Sequence, residues 1–255
     1  MSVEQGTGTR GGTPLPTSSP SPTSTPGEHH HEHRDVTGGW LRPAVFGVMD
    51  GLVSNTALIA GVAGGGVSGR TVVLTGLAGM AAGAFSMATG EYVSVASQTE
   101  LTQAEIAIEK AEIARVPEAE EAELAALFEG RGVDHATAVE VARQLSVDPE
   151  QAWRVHAREE LGVDPDDLPS PWLASGSSFA AFTLGALVPL LPYLLGLTSL
   201  LVAVVLAGVA LFLAGAAVSR FTSRGALYSG GRQLLLGATA AGATYVIGSA
   251  VGAGV

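Results

Sequence analysis

Cysteine is absent from the 255-residue sequence, and Lys110 is its only lysine. The lack of cysteine excludes both disulfide bonds and thiolate metal ligands. Any bound metal must therefore be held by oxygen, imidazole or thioether groups. Because arginine supplies almost all of the positive charge, the composition is typical of a GC-rich bacterial genome.

Apolar residues are concentrated in blocks. They make up 47% of the chain, and the mean hydropathy is +0.35. Five blocks reach the roughly 20 residues that a helix needs to cross a bilayer. The sequence therefore predicts an all-α, polytopic membrane protein with five transmembrane helices, at about residues 43–66, 71–97, 174–195, 198–219 and 233–254. The last three blocks contain no acidic residue, which indicates a scaffold role.

The head of the chain, residues 1–39, is rich in Pro, Ser, Thr and Gly. It offers little to bury and is expected to be disordered. Its run EHHHEH at residues 28–33 is typical of either a weak metal buffer or an expression tag. No apolar segment follows Met1, so no cleavable signal peptide is expected.

A charged segment, residues 98–170, separates the regions 40–97 and 171–255, which carry transmembrane helices 1–2 and 3–5. Its pattern predicts helices at about 98–115, 118–130, 134–145 and 149–161, with Pro117 and Pro149 in first turns. The first of these helices is expected to extend the second transmembrane helix directly.

Basic residues set the expected orientation, because Lys and Arg beside short loops tend to remain cytoplasmic. Arg34 and Arg42 precede the first block, and three arginines lie between the fourth and fifth blocks. The opposite side has only Arg70. The N-terminus and the charged segment are therefore predicted to be cytoplasmic, in a protein of the bacterial cytoplasmic membrane.

Asp50 interrupts the first apolar block, in the sequence VMDGLVSN. A charged group in hydrocarbon costs several kcal/mol, so an intramembrane carboxylate is by default a site for an ion or a proton. The alternative is a structural carboxylate that Ser54 or Asn55 satisfies by hydrogen bonding.

The second block carries Met80, Met87 and Glu91 on one helix face, at i, i+7 and i+11. If the two spans form a hairpin that turns near Ser68, then Asp50 and Met87 both lie roughly 27 Å from the turn. Asp50, Met87 and Glu91 can then converge, and a carboxylate with a thioether favours Fe(II) or Mn(II) over Mg or Ca. The alternatives are packing for Met87 and solvation for Glu91; Met80 is expected to pack.

The charged segment contains a second acidic array. Glutamates form stripes on two adjacent helices, where like charges repel unless a cation is present. An imidazole and a further glutamate follow one turn apart. Such a cluster is a candidate site for several divalent ions, with a solvated helix surface as the alternative. The candidate ligands are Glu105, Glu109, Glu112, Glu120, Glu123, His156 and Glu160.

Three motifs resemble the vacuolar iron transporter family: DGLVSN from Asp50, SMATGEYVS from Ser86 and HAREELG from His156. The resemblance covers about residues 40–255. It implies five transmembrane helices, a homodimer, exchange of Fe(II) or Mn(II) for protons, and a cytoplasmic helical domain that binds metal through glutamates.

The resemblance also implies site residues. Asp50 and Met87 correspond to ligands of the transported ion. In the cytoplasmic domain, where well-defined members have a methionine pair, this chain has His156 and Ala157. We therefore expect His156 to replace a thioether ligand there. The glutamates implied as ligands of that domain are Glu109, Glu112, Glu120, Glu123 and Glu160.

The expected function is export of Fe(II) or Mn(II) in exchange for protons, for metal homeostasis and detoxification. No prosthetic group and no enzymatic activity are expected, and Zn(II) is expected to substitute as a bound ion. The expected partners are metal ions, protons, the bilayer and a second copy of the chain, without nucleic acid.

Two other classes are alternatives to transport. One is a membrane-anchored metal sensor or store, which would have no use for the Asp50 carboxylate. The other is a di-metal enzyme, but the predicted helices lack the Glu-x-x-His pair that is usual in such centres.

Overall fold

The computed structural model describes residues 39–220 and 222–254, and all regular structure in these ranges is helical. The His-rich run and the rest of the head before residue 39 lie outside the described residues. The eight helices are α1 (Leu41–Gly64), α2 (Gly69–Arg115), α3 (Pro117–Gly130), α4 (His135–Leu145), α5 (Pro149–Glu159), α6 (Pro171–Leu194), α7 (Leu200–Val218) and α8 (Ala226–Ala253).

Five of the described helices, α1, α2, α6, α7 and α8, are long and apolar enough to cross a membrane. The predicted number of transmembrane helices is therefore confirmed. Large apolar side chains such as Leu201, Val209, Leu235 and Ile247 are exposed on α7 and α8. An exposed apolar surface of this extent is expected where helices contact lipid.

Helix α2 is continuous from the second apolar block into the charged segment, as the sequence predicted. It begins after Ser68, whose hydroxyl accepts a hydrogen bond from the Thr71 amide. Its 47 residues extend about 70 Å at 1.5 Å per residue. Because a hydrocarbon core is only about 30 Å thick, the C-terminal half of α2, with its glutamates, projects beyond the apolar span.

Glycines bring α1 and α6 into backbone contact on both sides of Asp50. A Cβ on Gly47 would lie 2.8 Å from the backbone oxygen of Ser178, and one on Gly51 would lie 2.8 Å from the Ala186 nitrogen. Small residues permit this close approach in membrane helices. The position of Asp50 is therefore fixed by the packing of α1 against α6.

Helix α8 packs on α1 in the same way, nearer the other end of α1. A Cβ on Gly248 would overlap the backbone oxygen of Gly61. The Thr244 hydroxyl donates a 2.6 Å hydrogen bond to the backbone oxygen of Ala57. With α6 and α8 both packed against it, α1 occupies the centre of the bundle.

The charged segment has its own small cores. Ile106, at the end of α2, packs against Trp153 and Ala157 of α5. Leu124 and Ala142 join α3 to α4 in a second cluster, which also contacts α5. Asp134 and Asp148 cap α4 and α5 by accepting backbone hydrogen bonds, which Ser, Thr, Asp and Asn favour at helix starts.

Gly185→Ala should destabilise the protein. Its Cβ would overlap the backbone oxygen of Val48 and lie 3.1 Å from the Leu52 nitrogen, so α6 would have to move away from α1. We expect a loss of about 1–3 kcal/mol, seen as a lower Tm of the detergent-solubilised protein. Gly176→Ala on the same helix is the control, since a Cβ there has no neighbour within 4 Å. Equal Tm values for the two variants would contradict this packing.

Candidate metal sites

A cleft of about 220 Å³ lies between α1 and α2 and is closed on one side by α6. Asp50 and Met87 both line it, in the proximity that the hairpin geometry predicts. Met87 packs against the cluster that contains Phe182. The complete lining is Asp50, Ser54, Asn55, Leu58, Gly79, Gly83, Ser86, Met87 and Phe182.

The neighbours of Asp50 use their hydrogen-bond donors elsewhere. The Ser54 hydroxyl donates to the backbone oxygen of Asp50 at 2.6 Å. The Asn55 Nδ2 donates to the backbone oxygen of Ala186, also at 2.6 Å. Both bonds end on backbone carbonyls, so they do not support the alternative in which Ser54 or Asn55 satisfies the Asp50 carboxylate.

The cleft combines one carboxylate, one thioether and several neutral oxygens. Oxygen ligands suit Mn(II) and other hard divalent ions, and a thioether adds affinity for softer transition ions. Glu91 does not line the cleft and lies one turn beyond Met87 on α2. Asn55 and Ser86 do line it. In the sequence each is a polar side chain inside an apolar block, a signal too general to identify a ligand.

The second site centres on His156 of α5, which is fully buried. Its Nδ1 lies 2.8 Å from Glu109 Oε1, 3.3 Å from Glu160 Oε1 and 3.9 Å from Glu120 Oε2. Two overlapping groups of side chains have ligand atoms within 4.8 Å of one another: Glu109, His156 and Glu160, and Glu109, Glu112 and Glu120.

The predicted glutamates differ in their exposure. Glu109 and Glu120 are each 7% exposed, and Glu112 and Glu160 are half-buried. Glu105 and Glu123 are exposed and belong to neither group. Of the stripe at residues 105, 109 and 112, only Glu109 and Glu112 belong to the cluster, because only these two face α3 and α5.

Little positive charge balances this cluster. Lys110 lies over the ring of Trp153, 3.7 Å from the ring centroid, instead of facing the glutamates. Arg115 Nη2 is 3.9 Å from Glu112 Oε1, in an exposed pair. Exposed ion pairs of this kind contribute little to stability. A divalent cation bound among the carboxylates would remove most of the repulsion.

Burial and mutual repulsion raise the pKa values of the inner carboxyl groups. Burial raises the pKa of Glu109 to about 7, and the charges of Glu160 and Glu120 act in the same direction. Burial also raises the pKa of Glu120, as does the charge of Glu123. These shifts express how unfavourable the ionised cluster is without a cation.

The fold and the two clusters together define a class: a polytopic membrane protein with a polar cleft among its membrane helices and an acidic cluster at the end of one long helix. The chain belongs to the VIT family, whose sequence model matches residues 41–249. Membership places it among membrane transporters and not among enzymes.

Individual relatives agree with this assignment. The chain is 35% identical to vacuolar iron transporter 1 of Arabidopsis thaliana over 229 residues, which cover 88% of the chain and 91% of that protein. It is 34% identical to vacuolar iron transporter 1 of Eucalyptus grandis, with the same coverage. It is 43% identical to a vacuolar iron transporter of Acanthamoeba castellanii over 161 residues. This alignment covers 63% of the chain and 58% of that protein.

Raising the pH should lower the folding stability of the charged segment when no metal is bound. A carboxyl group whose pKa is raised by folding stabilises the fold below its unfolded pKa, and this contribution is lost as the pH rises through the folded pKa. For Glu109 the loss falls between its ordinary value of 4.5 and about 7. We expect hydrogen exchange around Glu109, corrected for intrinsic rates, to be slower at about pH 5 than at about pH 8.

Two variants test this assignment. Glu109→Gln should remove much of the pH dependence, because it cannot ionise. Glu105→Gln should retain it, because Glu105 is exposed and outside the cluster. The same pH dependence in wild type and Glu109→Gln would contradict the role given to Glu109.

Proposed function

We propose that this protein carries Fe(II) or Mn(II) across the membrane in exchange for protons. The observation that carries the proposal is the cleft among the membrane helices that Asp50 and Met87 both line. The names of the relatives, which describe iron transporters, support iron as a substrate. The thioether supports a transition ion over Mg or Ca.

Charge neutralisation explains the coupling to protons. Moving a bare divalent ion through hydrocarbon is prohibitive, so a carrier must neutralise it with carboxylates. After metal release, protonation of Asp50 removes the remaining negative charge and allows the carrier to return. Protons therefore travel opposite to the metal.

A homodimer would improve the charge balance. One cleft supplies the single carboxylate of Asp50, which neutralises half of a divalent charge. Ser54 and Ser86 are exposed at the cleft of one protomer. Two copies whose clefts face each other would surround the ion with two carboxylates and two thioethers.

In this scheme the charged segment is cytoplasmic and collects the ion before transport. Its glutamates and His156 offer more ligand atoms than one ion needs, which suits loose binding of several ions. His156 adds a borderline imidazole ligand, so Zn(II) substitutes there readily. In a bacterium the outcome is export of Fe(II) or Mn(II) and protection against metal excess.

A membrane-anchored metal sensor or store is the second candidate. The buried cluster around His156 favours a sensor or store, since that cluster could bind metal without any transport. The cleft with Asp50 remains unexplained by a sensor. Transport and storage therefore differ in whether Asp50 matters.

Asp50→Asn should abolish coupled flux in proteoliposomes with an imposed pH gradient, because the amide can neither neutralise the metal nor carry a proton. The measurement is Mn(II) and Fe(II) uptake followed by an internal metal-sensitive dye. Glu100→Gln is the control, since it removes a charge from the exposed surface of α2 outside the cleft. Normal, proton-coupled flux in Asp50→Asn would contradict the mechanism. Absence of flux in wild type, with metal still bound, would favour the sensor or store.

Glu120→Gln should weaken metal binding to the charged segment. It removes a carboxylate that lies within 4.8 Å of the Glu109 and Glu112 ligand atoms. We expect a loss on the order of tenfold in affinity for Mn(II) or Zn(II), measured by calorimetry on the full chain. Glu105→Gln is the matched control and should bind like wild type. An equal loss in Glu105→Gln would return Glu105 to the site, as the sequence predicted.

A further inference from the structure

The Asn55 carboxamide is held in one orientation beside the cleft. Its Nδ2 donates a 2.6 Å hydrogen bond to the backbone oxygen of Ala186 in α6. A backbone carbonyl oxygen can only accept, so the nitrogen must face α6 and Oδ1 must point away from this bond. Asn55 is only 2% exposed, so packing also holds the side chain in place.

The oxygen of this amide lacks a hydrogen-bond partner. Within the described part of the chain, Asn55 Oδ1 is buried and accepts no hydrogen bond. It faces α2, since a Cβ on Gly79 would lie 3.4 Å from it. Asn55 and Gly79 both line the cleft that holds Asp50 and Met87. A buried, unpartnered polar atom costs free energy, and each such atom in a native structure requires an explanation.

We propose that Asn55 Oδ1 is a direct ligand of the transported cation, beside Asp50 and Met87. This inference rests on the proposed transport function and names a further residue of the same site. An amide oxygen is a hard, neutral ligand of the kind that Mn(II) and other oxygen-preferring ions accept. It adds coordination without adding a second negative charge, so it does not oppose release of the ion as another carboxylate would.

The role of Asn55 in selectivity follows from the softness of its neighbour. Met87 alone would favour soft ions such as Cd(II), because thioether sulfur binds them preferentially. The amide oxygen shifts the balance toward harder ions. Loss of Asn55 Oδ1 should therefore affect Mn(II) much more than Cd(II), whereas a purely structural defect should affect both ions alike.

Asn55→Leu keeps the approximate size of the side chain and removes both polar atoms. In proteoliposomes we expect the KM for Mn(II) to rise on the order of tenfold, while the KM for Cd(II) changes much less. Ser178→Ala is the matched control, because Ser178 Oγ is also buried without a partner but does not line the cleft. Equal effects on both ions, or no effect, would overturn the assignment of Asn55.

Asn55→Asp provides a second test, which decides the question if Asn55→Leu does not fold. It loses the same hydrogen bond to Ala186 but retains an oxygen on the cleft side. The preference for Mn(II) over Cd(II) should stay at the wild-type level or increase, and a fall would overturn the proposal. An inactive wild type would overturn the proposed function as well. An active wild type, with an Asn55→Leu variant that changes the KM for Mn(II) and for Cd(II) equally or not at all, would overturn only the role of Asn55.

Discussion

An ionised carboxylate is costly inside a bilayer, and Asp50 lies in the middle of the apolar helix α1. The surrounding structure holds this one group in a defined place. Glycines on either side of it bring α1 against α6, and Asn55, near Asp50 on the same helix, is tied to α6 as well. The carboxylate therefore faces the cleft at a fixed position, where a cation can offset its charge.

The charged segment meets the same constraint outside the apolar span. Several glutamates surround the imidazole of His156. Lys110, which follows Glu109 in the sequence, lies over the ring of Trp153. The apolar contacts of Trp153 with Ile106 hold these elements together despite the repulsion. Both sites hold unfavourable negative charge that a bound divalent ion would relieve.

Much of this architecture was predictable from the sequence. Block length and composition predict the five membrane helices. The first helix of the charged segment was expected to extend the second span, and α2 is continuous there. Equal distances from the turn near Ser68 placed Asp50 and Met87 at one depth. These predictions depend on local periodicity and on the rise per residue, which a single helix fixes by itself.

Other features depend on contacts that are distant in sequence. The orientation of Asn55 is set by Ala186, which is 131 residues away. Glu105 and Glu109 have equivalent positions in a helical stripe, and only the packing of α3 and α5 buries one and exposes the other. Sequence periodicity identifies a helix face but does not say what packs against it.

The most direct test of the account is to locate the ion itself, by anomalous scattering from crystals of the full chain loaded with Mn(II). The account predicts one manganese peak in the cleft, in contact with Asp50 and Met87, in addition to peaks among the glutamates around His156. Manganese bound only in the charged segment, with none in the cleft at saturating metal, would contradict the claim that Asp50 lies on a transport path.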